Sequence, residues 1–320
     1  MRAFEHNIIA LIWDFDKTLA KNYMQKPIFK EYNINEEEFW KENNSLVNKY
    51  KEMGITVNKD TIYLNHFLTC VNQGIFPGLN NSKLRELGKE IEFFDGLPDF
   101  FNTIKNTIEK DEKYKRYKIT VEHYIVSTGL KAMIEGSKIA PYVKDIWGCT
   151  FIENPIPSKL NSKNLSDKRQ NNDKVITQIG YAIDHTSKTR AVFEINKGIN
   201  VYKDEIDVND RMPYGYRRIP FSNMIYIADG PSDVPVFSLL KQKGGKTFAV
   251  YPKGETKSFN QVDQLREDGR IDMYGEADYT EESLTYMWLV ENVKQIADKI
   301  YNAKEEAIKQ SASQSPKHIL

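Results

Sequence analysis

The sequence predicts an α/β fold: a mostly parallel sheet covered by helices on both faces, three αβα layers in all, with an all-helical domain inserted after the first strand. Three observations predict it. Ile8–Trp13 and Met224–Ala228 are apolar runs without polar alternation, the pattern of strands buried on both faces of a parallel sheet. Strand-like and helix-like segments alternate from about residue 117 onward, the order that builds such a sheet. Between the first two strands, from about Lys21 to Tyr114, the pattern is helical. The boundaries drawn from this are residues 1–20 and 117–320 for the core and 21–116 for the helical insert.

Taken in order, the first strand ends abruptly in Asp14, Phe15 and Asp16. Asn35 to Tyr50 reads as a helix, with Asn35 as N-cap and Glu36, Glu37 and Glu38 in the favourable first turn. Thr61 to Asn72, Ser82 to Ile91 and Leu97 to Ile108 continue the helical stretch, with a break at Pro77-Gly78. Strand character returns at Lys118–Ser127, followed by a short helix from Leu130 to Glu135 and a strand at Ile146–Ile152. Glu153 to Asp173 is polar and reads as an exposed loop. Val175–Ala182 reads as a strand and Thr189–Ile195 as a helix ended by Gly198. After Met224–Ala228, Gly230-Pro231 opens a helix to about Leu240, since proline lacks the N–H that would go unbonded in a first turn. Lys246–Tyr251 is the next strand. Thr280 to about Glu306 is a long amphipathic helix striped by Leu289, Val293, Ile296 and Ile300.

The 45 basic and 45 acidic residues balance, so no strong field draws the chain to nucleic acid or a membrane. Cys70 and Cys149 are the only cysteines and form no CxxC pair; they read as buried thiols rather than a disulfide framework or zinc site. No apolar stretch approaches the ~20 residues of a spanning helix, and the N-terminus lacks a signal-peptide pattern. The expectation is a cytoplasmic protein.

Asp14 and Asp16, two apart in an extended chain, point to the same side, beyond the carboxyl end of a buried strand, where open α/β sheets keep their ligands. Two acids there repel each other and cost desolvation, so a cation should offset them. Magnesium, a hard cation that prefers oxygen, is the candidate. Downstream lie Ser127-Thr128-Gly129 after a strand, Lys188 early in a helix, and Asp229-Gly230-Pro231-Ser232-Asp233 after the second apolar run. Phosphoryl transfer needs a nucleophile, an acid for the leaving oxygen, and cations over the non-bridging oxygens; each segment could supply one. This order of motifs resembles the haloacid dehalogenase-like superfamily, and within it the phosphoserine-phosphatase-like group with a helical C1-type cap between its first and second motifs.

The resemblance implies a Rossmann-like core and a site that can be carried over residue by residue. Asp14 would be the nucleophile that forms an aspartyl-phosphate. Asp16 would protonate the leaving alcohol and then deprotonate water. Thr18 would help fix the loop. Ser127 would bind a phosphoryl oxygen, with Thr128 as a plausible substitute and Gly129 beside them. Lys188 would neutralise Asp14 and the phosphoryl group, with Lys197 as its rival one or two turns on. Mg2+ would be held by the Asp14 side chain, the Asp16 backbone carbonyl and Asp229. Asp233 would orient a metal-bound water or Lys188. The implied activity is magnesium-dependent hydrolysis of a small phosphorylated metabolite under a closing lid. A phosphomutase or phosphotransferase using the same intermediate stays open, as does a non-catalytic binding or regulatory module, and the oligomeric state is undetermined. His185 is read as structural or substrate-adjacent, and Arg217-Arg218 and the Lys-rich loop from Lys159 to Lys174 as solvated surface.

Overall fold

The computed structural model describes residues 4–156, 174–202 and 206–313. At its centre is β1 (Ile8–Trp13), sealed from solvent from Ile9 onward. The chain then leaves the sheet for α1 (Lys26–Glu31), α2 (Glu36–Glu52), α3 (Ile62–Asn72) and α4 (Asn81–Gly88). It returns through α5 (Asp99–Glu109) and α6 (Glu112–Lys115) to β2 (Thr120–Leu130). Next come α7 (Lys131–Gly136), β3 (Asp145–Glu153), β4 (Ile176–Tyr181) and α8 (Ser187–Lys197). The last part alternates β5 (Met224–Ala228), α9 (Val234–Gln242), β6 (Lys246–Tyr251), α10 (Thr256–Glu267), β7 (Met273–Glu276) and α11 (Leu284–Ser313).

Among the described residues these strands form one seven-stranded sheet in the order β4-β3-β2-β1-β5-β6-β7. All pairs are parallel except β4, which runs antiparallel to β3. The order reverses at β1: the chain builds outward to β4 on one side, then returns to place β5 on the other. A crevice opens at the carboxyl ends of β1 and β5, where doubly wound sheets hold ligands.

Alternation along β1 divides the two faces. Trp13 turns toward Phe100 and Phe101 of α5 and toward Tyr279, on the side where α5 packs against α11. Its indole N–H donates to Nδ1 of the buried His123 at 3.1 Å, and His123 Nε2 lies 3.3 Å from the Phe101 carbonyl. With Nδ1 accepting, Nε2 carries the proton; burial holds the ring neutral, its pKa lowered to about 3. Asp14, the next residue, turns to the opposite side, under α8.

Local chemistry accounts for most of the helices. The Asn35 side chain caps α2 by accepting from the Glu38 N–H at 3.1 Å, as its spacing predicts. α5, inside the stretch assigned to the insert, packs on β2 and α11 instead of with α2 and α3. Its apolar face of Phe100, Phe101, Ile104 and Ile108 is covered by the sheet. Four elements escape the sequence reading: α1, α6, α10 and β7. α10 buries only Val262 and Leu265, too few to make a stripe, and β7 is four residues long. The helix expected from Pro231 begins as a 3-10 turn, Pro231–Asp233, before α9. The one expected from Thr280 begins at Leu284. Residues 157–173, which hold most of the Lys-rich loop, lie outside the described residues. Cys70 and Cys149 are free and buried, and no described helix is long and apolar enough to cross a membrane.

Arg218 corrects the reading of Arg217-Arg218 as solvated surface. It is buried, and its guanidinium forks onto Glu122 with both contacts at 2.7 Å while also donating to the Tyr124 hydroxyl at 2.7 Å. The sequence offered no periodic signal for it, because Arg218 stands in an irregular segment. Burial alone would raise the Glu122 carboxyl, but the Arg218 fork outweighs burial and holds it below its ordinary value of 4.5. A depressed carboxyl stabilises the fold above the unfolded-state pKa, and this contribution is lost as pH falls through the folded-state value. Arg218→Ala, which strands Glu122 as a buried charge, should cost about 3–5 kcal/mol in urea unfolding at neutral pH. The gap to wild type should narrow as the pH is lowered below 4.5. A gap independent of pH would show that the pair does not carry the effect.

Candidate active site

The first acid is placed by the sheet itself. The Asp14 N–H donates to the Ile227 carbonyl at 2.9 Å, so the β1–β5 ladder runs to the edge of the crevice. The chain then wraps around the Phe15 carbonyl, which accepts from the Leu19 and Ala20 N–H groups at 2.9 and 3.0 Å. This turn puts Lys17 in the left-handed region at φ 59, uncommon outside glycine and asparagine. Thr18 is wholly buried, its carbonyl accepting from the Tyr279 hydroxyl at 2.7 Å, while its own hydroxyl has no partner among the described residues. Thr18 thus sits inside the loop. Asp16 Oδ1 accepts from the Met24 N–H at 2.8 Å.

Lys188 reaches the same place from α8. Asp184 and Ser187 cap this helix reciprocally: Asp184 Oδ1 accepts from the Ser187 N–H, and Ser187 Oγ from the Asp184 N–H, each at 2.7 Å. Thr186 makes no side-chain cap. The next residue, Lys188, is 1% exposed, and its Nζ bridges Asp14 Oδ1 at 2.8 Å and Asp233 Oδ1 at 2.7 Å. Lys197, the rival, turns away and donates to the carbonyls of Val208 and Asp210 at 2.5 and 2.6 Å. Asp233 also accepts from the hydroxyls of Tyr226 and Ser232. Tyr226 was missed in the sequence, although it supplies the one hydroxyl in the otherwise apolar strand MIYIA.

Carboxylate oxygens of Asp14, Asp229 and Asp233 all lie within 4.8 Å of one another. Two unit charges at that distance repel by about 3 kcal/mol at an effective dielectric constant near 20, a sizeable share of a domain's net stability. Lys188 supplies one positive charge against three negative ones. Burial would lower its pKa, but Asp14 and Asp233 hold it above the ordinary lysine value. Asp14 is raised to about 6 by burial, with Lys188 pulling the other way. Asp16 is raised to about 8 by burial and then by the Asp14 charge. Asp229 is pushed well above the usual range by burial and by Asp14 and Asp233. No hydrogen bond to its carboxylate is seen among the described residues. An all-oxygen cluster short of positive charge fits a hard divalent cation.

Ser127, Thr128 and Gly129 form the tip of β2 facing this crevice. Ser127 Oγ accepts from the Gly129 N–H at 3.0 Å, leaving its own proton free to be donated. The Thr128 carbonyl accepts from the Tyr63 hydroxyl at 2.6 Å. A Cβ at Gly129 would stand 2.2 Å from the Met24 methyl carbon, so the end of the Met24 side chain would have to move. Met24 lies beneath the tip, with its sulfur 3.0 Å from the Leu130 N–H. His185 Nδ1 lies 3.3 Å from Asp60 Oδ2, on the outer side of α8's start.

No protein-family model matches the chain. A Borreliella burgdorferi protein described as an uncharacterized protein is 40% identical over 291 residues, covering 90% of this chain and 97% of that one. Among solved structures, a HAD family hydrolase from Salmonella enterica subsp. enterica serovar Typhi aligns with a TM-score of 0.45 at 14% identity, covering 79% of this chain and 65% of that one. A phosphoserine phosphatase, in a structure of a phospho-aspartyl intermediate analogue, aligns with a TM-score of 0.45 at 16% identity, covering 83% of this chain and 92% of that one.

Because Asp229 crowds two other carboxylates, removing its charge should stabilise the protein free of divalent ions. Asp229→Asn should raise the thermal midpoint in a chelator by about 2–4 °C, the shift worth roughly 1 kcal/mol in a chain of this order of size. A lower midpoint would mean that its charge is already compensated.

Proposed function

This chain belongs to one family with the Borreliella burgdorferi protein, and we propose that it is a magnesium-dependent phosphatase hydrolysing a small phosphomonoester through an aspartyl-phosphate on Asp14. The observation that carries this reading is the Lys188 bridge between Asp14 and Asp233, with Asp229 left uncompensated beside it. The carboxylates of Asp14 and Asp229, with the Asp16 main-chain carbonyl, would hold the metal. Bound there, magnesium would draw charge from the phosphoryl oxygens.

Lys188 occupies Asp14 Oδ1, which leaves the other carboxylate oxygen to attack phosphorus. The bond from phosphorus to the ester oxygen breaks as the new P–O bond forms. Asp16, protonated at neutral pH by its raised pKa of about 8, hands its proton to the departing alkoxide. Its Oδ1 is held by the Met24 N–H, so the proton resides on the other oxygen. Asp16, now a carboxylate, takes a proton from water as that water attacks the acyl phosphate, which releases inorganic phosphate and regenerates Asp14. The Ser127 hydroxyl and Lys188 hold the phosphoryl oxygens throughout. Tyr23 lies near the cluster: burial, then the charges of Asp229 and Asp16, raises its phenol.

Turnover of a generic aryl phosphate should require magnesium, and Asp14→Asn should reduce it by at least about 10³-fold. Undiminished hydrolysis by Asp14→Asn would falsify the assigned nucleophile. Asp16→Asn should slow turnover by about 10²–10⁴-fold yet keep the thermal stabilisation that magnesium confers, whereas Asp229→Asn should lose that stabilisation. Equal loss in both variants would contradict the division of roles.

A further inference from the structure

We infer that Asn58, Asp60 and Tyr63, at the start of α3, are positioning residues that tie the docking of the helical layer to the placement of Ser127 and Lys188. The inference rests on the phosphatase reading for what those two groups do, though its geometry stands apart from that reading. Within six positions the chain touches two catalytic loops from the same side. The buried Tyr63 donates to the Thr128 carbonyl at 2.6 Å. Asn58 Nδ2 donates to Asp184 Oδ2 at 3.1 Å, and Asp60 pairs with His185 at 3.3 Å.

Each contact adds a bond from the helical layer to a place that the core holds by few bonds of its own. Pairing of β2 with β3 loses register between Val126 and Leu130, so the ladder does not fix the β2 tip. The Thr128 carbonyl takes its bonds from the Tyr63 hydroxyl and from Cys149 Sγ, the latter at 3.2 Å. Asp184 is bound through both oxygens: Oδ1 caps α8 at Ser187 and Oδ2 accepts from Asn58. One residue past that cap stands Lys188. The strap is itself stiff, since Asn58 Oδ1 accepts from the Asp60 N–H at 2.9 Å and the Asn58 carbonyl accepts from Ile62 at 3.0 Å. Pairs at the exposed rim contribute little alone, so the buried Tyr63 bond carries the larger share.

The test uses the full chain with Tyr63→Phe and Asn58→Ala, comparing amide hydrogen exchange and steady-state turnover of an aryl phosphate with magnesium. Tyr63→Phe should speed exchange at residues 127–130 and leave 184–188 unchanged, and Asn58→Ala should do the reverse. Tyr63→Phe should also lower kcat by about five- to tenfold, the worth of one neutral hydrogen bond. Exchange unchanged at both loops, or raised evenly through the chain, would overturn the inference. Wild-type protein without turnover would sink the phosphatase reading, while the exchange pattern would still decide the coupling.

Discussion

A single buried ammonium between two carboxylates governs this molecule. Lys188, sealed from water, holds Asp14 at the end of one strand and Asp233 beyond the end of its neighbour. Such a contact must be near ideal to exist at all, because each charge taken from water costs several kcal/mol. The surrounding structure makes it so. The sheet aligns the tips of β1 and β5, α8 delivers the lysine from its first turn, and Tyr226 and Ser232 occupy the remaining capacity of Asp233. The site is nonetheless left short of positive charge, with Asp229 pressed against the pair. That imbalance costs stability, and in the proposed reading a divalent cation would relieve it.

The two faces of β1 divide the labour. One carries Trp13, its hydrogen bond to a neutral His123, and the aromatic packing of α5 and Tyr279. The other carries Asp14. A one-residue alternation therefore separates the most apolar part of the core from its most charged part, and rigidity on the first side fixes geometry on the second.

The helical layer leaves and rejoins the core at one crossing. The outgoing and returning chains run side by side, with the Lys21 N–H donating to the Glu92 carbonyl at 2.9 Å and the Phe94 N–H to the Leu19 carbonyl at 3.0 Å. The return is pinned at Gly96, whose φ of 87 and contact with the Tyr279 backbone leave no place for a Cβ.

Local signals in the chain account for much of the architecture. Unalternating apolar runs mark β1 and β5, an asparagine before three glutamates marks α2, and acids at the strand ends mark the crevice. Sequence by itself could name Asp14, Asp16, Asp229 and Asp233 as carboxylates at strand ends, because buried parallel strands write their burial into every residue. It could not choose between Lys188 and Lys197, which share one helix and differ only in which end faces the sheet edge. Nor could it see that Arg218 is a core residue, that β7 completes the sheet beneath α10, or that Tyr63 reaches Thr128. Those facts depend on which segments distant in sequence become neighbours. Hydrogen bonds and ion pairs act over a few ångströms of space, while periodicity reports only on the chain's own local surroundings.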